Sequence, residues 1–223
     1  MADRPILFSA PMIRALLAGK KTQTRRLFKG IERLPVGTFH VFGNGGGIVG
    51  VCEEDVPTHA PDYANIQTGD RLWVRETWQG LTFGDFRPTK HEPCEVRYAA
   101  TDPCADLDAE ARGYQWRPSI FMPRFASRLT LAVIDVRVER LQNISHEDAL
   151  AEGIIQLDRK AWIGGGPLYG LHEGEGHDTA TGAYNRLWRD INGDRSWAAN
   201  PWVVVYDFTV HHGNIDQIAQ VAA

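Results

Sequence analysis

The run from Ser127 to Leu141 alternates apolar with polar or small residues, and this period-two pattern commits the chain to building a sheet. Leu129, Leu131 and Val133 share one face; Val136 and Val138 continue it with opposite parity, which predicts a bulge near Ile134 and Asp135. A second run, Arg71 to Trp78, opens after Gly69-Asp70 and places Leu72, Val74 and Glu76 on one face, with Arg71, Trp73 and Arg75 on the other. Further strands are expected at Pro5–Ser9, Glu95–Ala100 and Trp202–Val210.

Helical signals are few and short. One reads from Pro11 to Ala18, with proline in its first turn and Gly19 at the position of a left-handed cap. Ser145-His146-Glu147-Asp148 resembles a capping box and opens a helix ending at Gly153. A last helix spans Ala183 to Ile191 and is expected to bury Tyr184, Leu187, Trp188 and Ile191. The fold class is therefore α+β, mostly β. Gly43-Asn44-Gly45-Gly46-Gly47 lacks the Lys-Ser/Thr continuation of a P-loop and reads as a hairpin or loop.

The chemistry concentrates in Ala18–Arg26, where Lys20, Lys21, Arg25 and Arg26 flank Thr22 and Thr24. Repulsion among these cations disfavours a charged lysine, so a partly buried Lys21 would approach neutrality and serve as a base, with Thr24 as its hydroxyl partner. Glu152 falls in the last turn of the Ser145 helix, where the dipole disfavours a carboxylate by about 0.3–1 kcal/mol. A glutamate held there invites a cation, and Lys21 is a candidate. Glu76, at the end of a core-facing row, also needs a cation, which the basic strand could supply.

Residues 1–29 carry seven Lys/Arg against one acid, while the whole chain has a net charge of −4, so the remainder is acidic. Such a body repels a long polyanion but leaves a local positive pocket for one nucleotide or a short single strand. Cys52, Cys94 and Cys104 form no CxxC pair, which argues against a disulfide framework or a thiolate zinc site. His172, Glu173, Glu175, His177 and Asp178 include metal-ligating types, but the glycines among them define no geometry, so no metal is expected. No apolar run approaches the ~18 residues of a membrane span, and the N-terminus lacks a leader pattern; a cytoplasmic, monomeric protein without a membrane partner is expected.

Taken together, Ile6–Arg26, Gly69–Trp78, Trp116–Arg128, Leu131–Ile154 and Asn200–Phe208 resemble an ASCH domain of the PUA-like superfamily, in the longer form common in phages and prophages. The resemblance implies a small, largely closed β-barrel with short helices over its ends and a cleft suited to a nucleotide or RNA segment. It implies a single domain over residues 1–210, with insertions near 30–68, 79–115 and 155–182 and a tail at 211–223. The proline- and aromatic-rich residues 80–125 would then cross one barrel opening, where Tyr98, Trp116, Phe121 and Phe125 either pack or stack on a base.

A bacterial branch of that superfamily hydrolyses N4-acetylcytidine and related N4-acylcytidines with a Lys, a Thr and a Glu. Its Gly-x-Lys-Thr-x-Thr segment is similar to Gly19–Thr24, and its glutamate falls at Glu152. The resemblance thus implies Lys21, Thr24 and Glu152 as catalytic residues, with Thr22, Arg26, Glu76, Trp78 and Trp116 contacting the nucleoside, and no cofactor. Strict strand alternation opposes part of this: Lys21 and Thr24 have opposite parity and converge only through a turn or bulge. The alternatives are a module that binds single-stranded RNA or a modified nucleotide, and an ASCH-type ribonuclease.

Overall fold

The computed structural model describes residues 1–157, 166–172 and 176–218. The strands are β1 (Asp3–Leu7), β2 (Gln23–Leu27), β3 (Ile31–Arg33), β4 (Phe39–Gly43), β5 (Gly46–Val51), β6 (Arg71–Arg75) and β7 (Trp78–Leu81). They continue as β8 (Pro88–Thr89), β9 (Glu95–Tyr98), β10 (Leu129–Arg140), β11 (Ile155–Leu157), β12 (Leu168–Gly170) and β13 (Trp202–His212). The α-helices are α1 (Ala10–Leu17), α2 (Val56–His59), α3 (Ala109–Arg112), α4 (His146–Ala151) and α5 (Ala180–Asn192). Strands predominate, and the fold is α+β.

A mixed five-stranded sheet has the order β1-β6-β10-β13-β2. Its β1–β6 pair is parallel, whereas β6–β10 and β13–β2 are antiparallel. The chain forms two compact units, one of residues 20–70 and 133–209, the other of residues 2–19, 71–132 and from 210 onward.

In the first unit, the segment expected as a loop after residue 30 carries the three-stranded sheet β3-β4-β5. Its β4–β5 turn is Asn44-Gly45, both at positive φ (42° and 82°), the geometry of a two-residue hairpin that follows strand twist. β3 is only three residues long and β5 is rich in glycine, so of the three only β4 carries an alternation, with Phe39 and Val41 buried, and it spans five residues. Helix α4 is capped as its sequence predicts: Ser145 Oγ accepts from the Asp148 amide, and the Asp148 carboxylate accepts from the Ser145 amide. The chain leaves that helix through Gly153 at φ 101°, a conformation that favours glycine.

Leu141, Ile144, Ala149 and Ile154 pack with Tyr184 and Trp188 of α5 and Val203 and Val205 of β13. Ile191, expected inside, is 59% exposed. It lies at the end of α5, where Ala180, Ala183, Tyr184 and Trp188 already make the buried stripe. The β10 alternation breaks where expected, since Ile134 and Asp135 are both exposed. Strand β13 runs on through His211 and His212, two residues past its expected end.

In the second unit, β1 begins two residues earlier than expected and Ser9 becomes the N-cap of α1, whose Met12, Ile13 and Leu16 are buried. Gly19 has φ 66°, as a left-handed cap requires. Residues 71–74 of β6 are buried on both faces, not one, because Arg71 is taken up by Asp3 at 2.9 Å and by main-chain carbonyls of Ile215 and Ile218. Among the described residues no helix is long and apolar enough to cross a membrane.

Candidate active site at Lys21 and Glu152

Lys21 precedes β2 and bridges to Glu152, the C-cap residue of α4. Two main-chain bonds hold this edge in place: the Thr22 amide donates to Ala151 O at 2.9 Å, and the Phe208 amide donates to Thr22 O at 2.9 Å. The lysine is 1% exposed and Glu152 3%. Lys21 Nζ donates to Glu152 Oε2 at 2.7 Å and to the Glu152 main-chain oxygen at 2.8 Å. The electrostatically odd glutamate thus has its cation, and the helix-end carbonyl that disfavoured the carboxylate shares the same ammonium.

Burial pushes the Lys21 amine below its ordinary value, Glu152 pulls it back up, and Arg26 and Arg25 push it down again. The net direction is downward, which is the direction a general base requires.

Around the pair lies a partly buried charge network, with Arg25 at its buried centre. The Arg25 side chain is fully buried, with Nη2 at 2.7 Å from Glu139 and 3.1 Å from Asp148, and Nη1 at 3.4 Å from Glu152 Oε1. Arg137 pairs with Asp148 at 2.7 Å and with Asp207, while Gln23 Nε2 donates to Asp148 at 2.9 Å and to Asp207 at 2.7 Å. Burial would raise the Asp148 carboxyl, but Gln23, Arg25, Arg137 and the Ser145 amide bring it down to about 2. Tyr184 lies under Arg25 at 5.9 Å, and burial, then Glu152, drives its phenol well above the usual range. The signal available beforehand was parity, because Lys21, Gln23 and Arg25 share one face of the segment; their acidic partners lie more than a hundred residues away.

Thr24 is 3% exposed and stands opposite Tyr206 in the β13–β2 register. Strand alternation places Thr24 and Arg26 on the face away from Gln23 and Arg25. No hydrogen bond joins Thr24 to Lys21. Arg26 is half-buried within electrostatic reach of Glu152, Tyr184 and Tyr206, and Thr22 is exposed.

The remaining expected contacts belong to the second unit. Glu76 is 2% exposed and takes both guanidinium arms of Arg128 at 2.8 Å, so its cation comes from Arg128 and not from the basic strand. Burial raises its carboxyl, and Arg128 offsets part of that rise. Arg128 also lies 3.9 Å over the Tyr98 ring, whose hydroxyl burial pushes to about 12. Trp78 is 1% exposed and fills the core with Met122 and Ala126. Trp116 is half-buried, with the Arg112 guanidinium 4.7 Å over its ring. Tyr98 and Phe125 pack against the Trp78 cluster, while Phe121 is 69% exposed.

Among the described residues no group of three or more His, Cys, Asp or Glu could hold a metal ion. Of the histidine-rich segment, Glu173 and Glu175 lie outside the described residues. Comparison with known protein families, curated proteins and solved structures finds no match.

Proposed function

We propose that the protein is a cytoplasmic, monomeric amidohydrolase of the ASCH type, built on a PUA-like β-barrel, that cleaves the N4-acyl amide of N4-acetylcytidine and related N4-acylcytidines without a metal or cofactor. The observation that carries this reading is Lys21: a buried amine, lowered toward neutrality, in direct contact with the Glu152 carboxylate.

In the proposed reaction the neutral Lys21 amine takes a proton from the attacking hydroxyl, either water or Thr24, as oxygen adds to the acyl carbon. The resulting ammonium is stabilised by Glu152. The tetrahedral oxyanion is neutralised by Arg26 or main-chain amides near Lys21. The C–N bond then breaks as a proton passes to N4, releasing cytidine; if Thr24 attacked, water cleaves the acyl-threonine in a second round to give the carboxylate. Thr22 and Arg26 border the site in the chain and are the proposed substrate contacts, whereas Trp78 serves packing and Glu76 neutralises Arg128.

Incubation with N4-acetylcytidine in the presence of a chelator tests this, with release of equimolar cytidine and acetate as the expected result. Failure to release either, across several acyl groups, sinks the enzyme reading.

A second reading, binding of a single-stranded RNA segment without chemistry, is favoured by a cleft of about 420 Å³ lined by Phe28, Lys29, Arg33, Phe39, Arg140 and Trp202. Cations beside aromatic faces suit a phosphate chain with unstacked bases. Salt-sensitive retention of an oligonucleotide with no turnover would support that reading over hydrolysis.

A further inference from the structure

Arg25 stands in the middle of the charge network, yet the hydrolysis proposed above gives it no proton to move and no substrate atom to touch. Its place is nevertheless specific. The two oxygens of Glu152 are divided between two cations, Oε2 to Lys21 at 2.7 Å and Oε1 to Arg25 at 3.4 Å. The other arm of the guanidinium is anchored by Glu139 and Asp148, Nη1 also donates to Gln23 Oε1, and the Tyr184 ring lies beneath.

Resting on the reading of Lys21 as the base, we propose that Arg25 is a positioning residue for the Lys21–Glu152 pair: it fixes the carboxylate by holding Oε1 and places a permanent positive charge beside the lysine. A guanidinium keeps its charge at any pH the protein meets, whereas the amine does not. A strand end with only Lys21 and Glu152 would form an ordinary buried ion pair, in which the carboxylate keeps the lysine protonated. Arg25 weakens that hold in two ways, by taking a share of Glu152 and by repelling the ammonium directly.

The groups facing Lys21 are Glu152 from the end of α4 and Arg25 and Arg26 from β2; those facing Arg25 are Glu152 again, Glu139 of β10, Asp148 of α4 and Tyr184 of α5. Arg137 faces Glu139 and Asp148 from β10, so both acids retain a cation when Arg25 is removed. Loss of Arg25 also releases Glu152 Oε1 and removes one cation beside Lys21.

The test is a titration of the protein labelled with ¹³C-lysine, which contains only five lysines. In Arg25→Gln the Lys21 midpoint is expected to rise by about one unit, a tenfold loss of the neutral amine below it. Turnover of N4-acetylcytidine near neutral pH then falls about tenfold and recovers in alkaline buffer. A merely structural loss would lower the rate at every pH. If Arg25→Gln does not fold, the paired change Arg25→Gln/Glu139→Gln removes the cation with one of its counter-charges and carries the same expectation. A Lys21 midpoint equal to wild type in either folded variant overturns the proposal. The titration needs no substrate: a raised midpoint in a protein that never hydrolyses N4-acetylcytidine sinks the functional reading and leaves the role of Arg25 standing, and an unmoved midpoint in an active enzyme does the reverse.

Discussion

Lys21 grips Glu152 twice, at the carboxylate (2.7 Å) and at the main-chain carbonyl (2.8 Å), so one buried ammonium both neutralises the side chain and caps the end of α4. Removing either partner should therefore have unequal costs. Glu152→Ala strands the lysine in the interior and should destabilise the protein by about 3–5 kcal/mol. Lys21→Met leaves Glu152 facing Arg25 and should cost clearly less. Urea denaturation of the two variants checks the order.

Acid sensitivity should trace to Asp148. Its carboxyl is held at about 2 in the folded protein against 3.8 in an unfolded chain, so its stabilising contribution is complete above pH 4 and disappears as pH falls through 2. After allowance for the solvent that reaches this side chain, that contribution is about 1 kcal/mol. Asp148→Asn should flatten the fall in stability between pH 4 and 2, measured by thermal melts across that range.

Lys21 acts in the same sense at alkaline pH. Because its folded value is lowered, the unfolded chain binds more protons between that value and 10.5, and stability should rise with pH across that window. Lys21→Met should remove the rise. Denaturant titrations at pH 8 and pH 10 make the comparison.

Ser145→Ala should cost about 1 kcal/mol, the usual worth of an N-cap, because the hydroxyl that accepts from the Asp148 amide is lost. The Ser145 main-chain amide still donates to the Asp148 carboxylate after the change, so stability should fall while turnover holds. Stability and rate measured on the one variant check both.

In the second unit, Arg128→Met should destabilise by about 3–5 kcal/mol by leaving the Glu76 carboxylate buried alone, whereas Glu76→Gln should cost less. Equal losses in denaturant melts of the two variants would contradict this, showing that Arg128 depends on Glu76 as much as the reverse.

Alternation made β10 legible and located β6, but β6 stops at Arg75 and Trp78 opens β7 in another sheet, where one strand from Arg71 to Trp78 was expected. The Ser145 capping box and Gly153 made α4 legible to within two residues of its end at Ala151. The same helix boundary exposed Glu152 as misplaced, which is why its contact with Lys21 could be anticipated. What the sequence concealed were partners distant along the chain: Glu139 lies 114 residues from Arg25, and Arg128 lies 52 from Glu76. Composition could say that these acids needed cations, but only packing chooses which. Thr24 and Lys21 illustrate the reverse case, since their opposite parity was readable and the strand preserves it, with no bond between the two.

The central claim is that the Lys21–Glu152 pair performs amide hydrolysis. The most direct measurement is the ultraviolet change as N4-acetylcytidine is converted to cytidine by the wild-type protein, by Lys21→Met and by Glu152→Gln, each confirmed folded and each assayed with a chelator present. Steady turnover in the wild type with a fall of about 10²–10⁴ in both variants is the predicted result. Wild-type inactivity, or variants that turn over as fast as the parent, would contradict it.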